Sequence, residues 1–135
     1  MFLAGTGVPG VRPMFYSEIL PKSPAAPAAA RQMIERLGDE LPASTLDDAR
    51  LLVSELVANA VEHAADDGEV EVRLDLADGR LRVEVTNSGP GFTYVPRRED
   101  ARDERGWGLH FTSLVASRWG IEERPTVVWF ELERP

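Results

Sequence analysis

Glu55 and Asn59 stand four residues apart within SELVANAVEHA, Ser54 to Ala64. On a helix that spacing puts both side chains on one face, one turn apart. A carboxylate and an amide oxygen held this way can supply a general base and one ligand to a hard metal ion. Phosphate and water would complete the metal's shell. Glu62 falls in the same sector, opposite an apolar stripe of Leu46, Ala49, Val53, Leu56, Val57, Ala60 and Ala64. A polar helix face is usually just a solvated one. Asn59 argues for more, because asparagine is a mediocre helix former and the chain holds only one other, Asn87.

Asn87 opens a second candidate stretch, Asn87-Ser88-Gly89-Pro90-Gly91, directly behind an alternating apolar run. Gly89 and Gly91 form either an ordinary turn or a platform where a ligand can lie against bare backbone. A third stretch, Gly106-Trp107-Gly108-Leu109, opens a helical pattern. Free N–H groups and the positive end of a helix dipole suit phosphate there. Neither glycine pair is specific by itself. There is no GxxxxGK[ST] phosphate loop and no G-x-S-x-G elbow. The formal GxGxxG at Gly5-Thr6-Gly7-Val8-Pro9-Gly10 lacks the strand before it and the helix after it. His63 and His110, the only histidines, have no partners at metal-ligand spacing and read as structural or surface groups.

The elements that must position these residues fit one domain of 135 residues, with 43% apolar and 28% charged content. The absence of cysteine excludes disulfides and thiol chemistry. A net charge of −8 argues against nucleic-acid binding and fits a basic partner better. No apolar run reaches membrane-span length and the start lacks a signal-peptide pattern, so a cytoplasmic location without membrane contact is expected. Residues 1–13 are Gly- and Pro-rich and read as flexible; residues 14–135 form the domain.

Met14 to Leu20 reads as an edge strand. Ser23-Pro24 opens a first helix carrying Ala26, Ala30, Met33 and Leu37, with Gly38 as its stop. Ser44 or Thr45 with Asp47 or Asp48 predicts a capping box for the second helix, which runs to about residue 64 before Asp66-Asp67-Gly68. Two strands follow, Val70 to Leu76 and Leu81 to Val85, joined by Ala77-Asp78-Gly79-Arg80. Residues 93–105 are charged and aperiodic, hence a mobile loop. A third helix is expected from Gly106 to about Trp119, closed by Gly120, and then a last strand from Val127 to Leu132. The fold class is α+β: a two-layer sandwich with helices on one face of a mostly antiparallel, mixed sheet.

In this order, Glu-x₃-Asn on a helix, two strands, N-x-G-x-G, a charged loop and G-x-G on a helix, the chain resembles the GHKL (Bergerat-fold) ATPase domain of histidine kinases and gyrase. In detail it is similar to the anti-sigma-factor serine/threonine kinase branch, over roughly residues 23 to 132. SELVANAVEHA looks like that branch's N-box, VTNSGPGF like its G1 box, GWGL (Gly106 to Leu109) like its G2 box and VVWFEL like its closing strand. The helical hairpin and phosphoacceptor histidine of a full sensor kinase are missing.

The resemblance implies ATP and Mg²⁺ as cofactors. Asn59 would bind Mg²⁺ through its side-chain oxygen and Glu55 would be the general base. Asn87, Gly89 and Gly91 would shape the adenine pocket, Gly106, Gly108 and Leu109 would lie at the phosphates, and residues 92–105 would form a lid. It further implies a sigma factor and an anti-anti-sigma protein of the STAS type as partners, phosphorylation of the latter, and a possible homodimer. Two positions depart from the family pattern. Asn87 stands where the family has an aspartate that accepts a hydrogen bond from the adenine amino group. Val127 stands where a threonine is common, with Thr126 on the other strand face. Three readings follow: a kinase, a pseudo-kinase module that regulates by sequestration, and a solitary ATPase.

Overall fold

A computed structural model of the chain describes residues 13–64, 68–87, 112, 114–122 and 126–133. In chain order the elements are β1 (Met14–Pro21), α1 (Ala26–Glu35), a 3₁₀ turn (Gly38–Glu40), α2 (Ala43–His63), β2 (Glu69–Ala77), β3 (Arg80–Asn87), β4 (Arg118–Glu122) and β5 (Thr126–Glu133). The strands form one sheet in the order β1-β2-β3-β5-β4, and all four pairings are antiparallel.

Period-two alternation builds the core layer. Val70, Val72, Leu74 and Leu76 are fully buried on one face of β2, opposite Val85, Val83 and Leu81 of β3 in register. Val128, Phe130 and Leu132 of β5 continue that face. Ala30, Met33 and Ile34 of α1, with Ala49, Leu52, Val53, Leu56 and Val57 of α2, close over it. Each such large side chain contributes about 1.5–3 kcal/mol by leaving water. α2 lies over β2, β3 and β5, while α1 packs on α2 and β1. Arg31 donates to Ser54 Oγ at 2.8 Å, and Arg50 bonds both Glu35 and Asp47. The hydrogen bond from Arg50 holds the exposed Glu35 carboxyl below its ordinary value. The Arg31–Ser54 and Arg50–Glu35 pairs join α1 to α2 at their solvent side.

The β2–β3 hairpin turns on Asp78 and Gly79, with φ of 55° and 75°. Two consecutive positive φ values suit the right-handed strand twist, and Asp-Gly adopts them at low cost. Gly38 likewise has φ of 52°, the left-handed stop expected after the first helix.

Three local expectations are corrected. α2 begins at Ala43 with Pro42 as N-cap and no side-chain cap bond, so no capping box forms at Ser44 or Thr45. α1 begins at Ala26 with Ala25 as N-cap, and Ser23 serves one turn earlier, its Oγ accepting from the Ala25 N–H at 3.1 Å. The expected third helix does not reach Trp119. Thr112, Leu114 and Val115 are helical, but residues 118–122 are strand β4. Trp119 and Ile121 pack on the core from alternate positions of that strand, a period-two signal too short to stand out beside the helical spacing before it.

Gly120 of β4 pairs with Trp129 of β5, and a Cβ at Gly120 would come within 2.9 Å of the indole ring. The Arg82 guanidinium lies 4.1 Å from that ring's centroid, so the ring has little freedom to yield. Gly120→Ala should therefore cost about 1–3 kcal/mol, measured as a lower midpoint in chemical denaturation.

Candidate functional site

Glu55 and Asn59 sit on α2, both half-buried, flanked by the buried Leu56, Val57 and Ala60. Packing of those three against the sheet fixes the helix rotation and so aims the polar pair. Glu55 has no hydrogen bond or ion pair among the described residues, leaving its carboxylate open to a substrate proton. Asn59 is different. Its side-chain nitrogen is buried and has no hydrogen-bond partner among the described residues. A buried amide atom left unsatisfied costs about 1–3 kcal/mol, so a group that pairs with it only in a complex would explain its retention. Because the amide's oxygen and nitrogen can exchange by a flip, the same position can offer an oxygen to a hard cation. The donor chemistry fits Mg²⁺, which takes one or two protein oxygens and fills its remaining sites with phosphate and water. Such a site needs no cluster of His, Asp and Glu, and none is present among the described residues.

Asn87 is the last residue of β3 and is 2% exposed. It continues the inward face of Leu81, Val83 and Val85, and it is flanked by Val70 of β2 and Thr126 of β5. Chain connection brings it to the Asn59 end of the sandwich. α2 ends at His63, β2 starts at Glu69, and the first turn of β2 is paired with the last residues of β3. Lys22 ties this corner together, with Nζ donating to the Ala64 carbonyl at 3.0 Å and its N–H donating to the Gly68 carbonyl at 3.2 Å.

Thr126 is the residue the sequence reading passed over. It does lie on the strand face opposite Val127, as expected, but that is the face Asn87 occupies. It is buried at 6% exposure and directly opposite Asn87. Counting by twos back from Phe130 through Val128 finds it. Gly89, Gly91, Gly106, Gly108, Leu109, His110 and the expected lid at 92–105 lie outside the described residues, as do residues 1–12. No helix among the described residues is long and apolar enough to cross a membrane.

Comparison with known proteins agrees with this arrangement. The histidine kinase-like ATPase domain model matches residues 20–132. A serine-protein kinase RsbW of Bacillus velezensis is 38% identical over 58 residues, covering 41% of this chain and 36% of the relative. An anti-sigma F factor of Clostridium botulinum is 29% identical over 55 residues, covering 38% of each. The aligned part is thus little more than a third of either relative's length. Among solved structures, that of the RsbU and RsbW domains of Rv1364c from Mycobacterium tuberculosis superposes with a TM-score of 0.66 at 25% identity. It covers 93% of this chain and 34% of that one. With the family model matching most of the sequence, residues 20–132, the chain belongs to the histidine kinase-like ATPase domain family.

Proposed function

We propose that this chain is an ATP-dependent serine/threonine protein kinase that regulates a sigma factor. It would phosphorylate an anti-anti-sigma partner and sequester the sigma factor when that partner is phosphorylated. The observation that carries the reading is Asn59, whose buried side-chain nitrogen has no hydrogen-bond partner among the described residues, one turn along α2 from the Glu55 carboxylate, which has none among them either. Relatives named serine-protein kinase and anti-sigma factor support the reaction class and the partners. The net charge of −8 suits retention of a basic, DNA-binding partner.

In this reading Asn59 holds Mg²⁺ through its amide oxygen. Mg²⁺ held there would supply charge neutralisation at the phosphate oxygens. Glu55 would accept the proton of a serine hydroxyl as the serine oxygen bonds to the terminal phosphorus, while the bridging P–O bond breaks and ADP leaves. Asn87 accepts a hydrogen bond from the adenine amino group, with the Thr126 hydroxyl beside it as a second polar contact. The test is calorimetric titration with Mg·ATP, followed by transfer of labelled phosphate to an anti-anti-sigma protein. Absence of binding at millimolar ATP would remove the kinase reading.

A second reading rests on Asn87 itself: a module that keeps the fold and the partner surface and regulates by sequestration with weak ATP use. A neutral acceptor forgoes charge assistance worth about 1–2 kcal/mol. Asn87→Asp should then tighten Mg·ATP binding about 5–30-fold. The same substitution should lower the thermal midpoint of the nucleotide-free protein, because it buries a carboxylate. Unchanged affinity would show that asparagine suffices and would favour the kinase.

A further inference from the structure

We infer that the nucleotide site takes 6-oxopurine triphosphates alongside adenine ones, with Asn87 and Thr126 reading the edge of either base. The inference rests on the nucleotide reading above, in which Asn87 meets the base. Asn87 is 2% exposed and Thr126 6%, and the two stand directly opposite each other where β3 pairs with β5. Opposed residues on one face of such a pair have Cβ atoms about 4.5–5.5 Å apart. An amide and a hydroxyl at that spacing can reach adjacent positions on one ring edge. Their neighbours on the same face are Val70 and Val72 of β2, Val85 of β3 and Val128 of β5, all buried and apolar. The other inward positions of these three strands, Leu74, Leu76, Leu81, Val83, Phe130 and Leu132, are apolar as well. No ionised side chain of β2, β3 or β5 shares the face and fixes the polarity of the pair.

The two classes of purine differ by a reversal of polarity. Adenine offers a 6-amino donor and an N1 acceptor, whereas hypoxanthine and guanine offer an O6 acceptor and an N1–H donor. Both groups of the pair can follow that reversal. An asparagine amide carries one acceptor oxygen and an NH₂ donor, and a threonine hydroxyl donates one proton and accepts on its lone pairs. Toward adenine, the Asn87 oxygen accepts from the 6-amino group and the Thr126 hydroxyl donates to N1. Toward a 6-oxopurine, the Asn87 amide turns over and donates to O6, while the Thr126 oxygen accepts from N1–H. The last side-chain torsion of asparagine is broad and two-fold, so the turned-over amide is no strained rotamer. Each arrangement makes two neutral hydrogen bonds of ordinary strength, so neither base gains much over the other. A carboxylate at position 87 would end this symmetry. It can only accept, so O6 would meet it acceptor to acceptor, with a buried charge left unpaired.

Calorimetric titration of the full chain with Mg·ATP and with Mg·ITP tests this, because the two ligands differ only at the 6-position and N1 of the base. Wild type should bind both, with dissociation constants within about tenfold of each other. Asn87→Asp should tighten Mg·ATP and weaken Mg·ITP, opening a gap of about 10²-fold or more. Thr126→Val, close to the same shape, should weaken both ligands alike, by about three- to tenfold. A variant that merely loosens the fold lowers both affinities together, so the ratio of the two reports the base edge alone. A wild type that binds Mg·ATP and prefers it by more than the stated margin would overturn the inference and leave the nucleotide reading standing. An Asn87→Asp ratio equal to that of wild type, or a Thr126→Val variant unchanged toward both ligands, would do the same. Binding of neither triphosphate at millimolar concentration would remove the inference and the nucleotide reading together.

Discussion

Glu55→Gln should lower phosphate transfer to a serine acceptor by about 10²–10⁴-fold while Mg·ATP affinity stays within about threefold of wild type. Glutamine keeps the size of the side chain and its helix propensity. It cannot accept a proton, so the loss falls on the transfer step. Glu55 carries no structural bond among the described residues, so thermal stability should be unchanged. Single-turnover transfer measured beside calorimetry separates the two effects. If binding falls as much as transfer, Glu55 is holding the nucleotide or its metal and the base must be sought elsewhere. If neither changes, α2 presents a solvated face and the chemistry lies with other residues.

The legibility of this site in the sequence follows from how its parts are encoded. α2 could be read because its stripe of Ala49, Val53, Leu56, Val57 and Ala60 is long and strictly periodic, and a fixed helix rotation fixes where Glu55 and Asn59 point. The hairpin could be read because Asp78-Gly79 lies between two alternating runs. β4 could not, since five residues with a central glycine carry almost no period. Its existence depends on tertiary packing of Trp119 and Ile121. The helix caps failed for a related reason. Ser44 and Thr45 are good capping residues, but Pro42 sets an extended backbone that starts the helix earlier, and Thr45 is buried within it instead. The contact of Thr126 with Asn87 needs strand register, which links residues about forty positions apart and which no local pattern specifies.

Asn59→Ala should abolish detectable Mg·ATP binding and leave the nucleotide-free protein as stable as wild type or more so. The two halves of this expectation come from the same atom. In the nucleotide-free chain the Asn59 side-chain nitrogen is buried without a hydrogen bond among the described residues, so alanine removes an unsatisfied polar group. Alanine is also the better helix former by about half a kcal/mol. Among the described residues nothing compensates for keeping asparagine there, and a residue that costs stability is retained where it acts on a ligand. Thermal melts with and without Mg·ATP read both quantities at once. Wild type should show a nucleotide-dependent rise in midpoint, as ligand linkage requires, and Asn59→Ala should show an equal or higher baseline with no rise. A lowered baseline would make Asn59 a structural residue of α2, and a retained rise would move the metal ligand elsewhere. Either result would leave Glu55 without the neighbour that makes its position on α2 chemically meaningful.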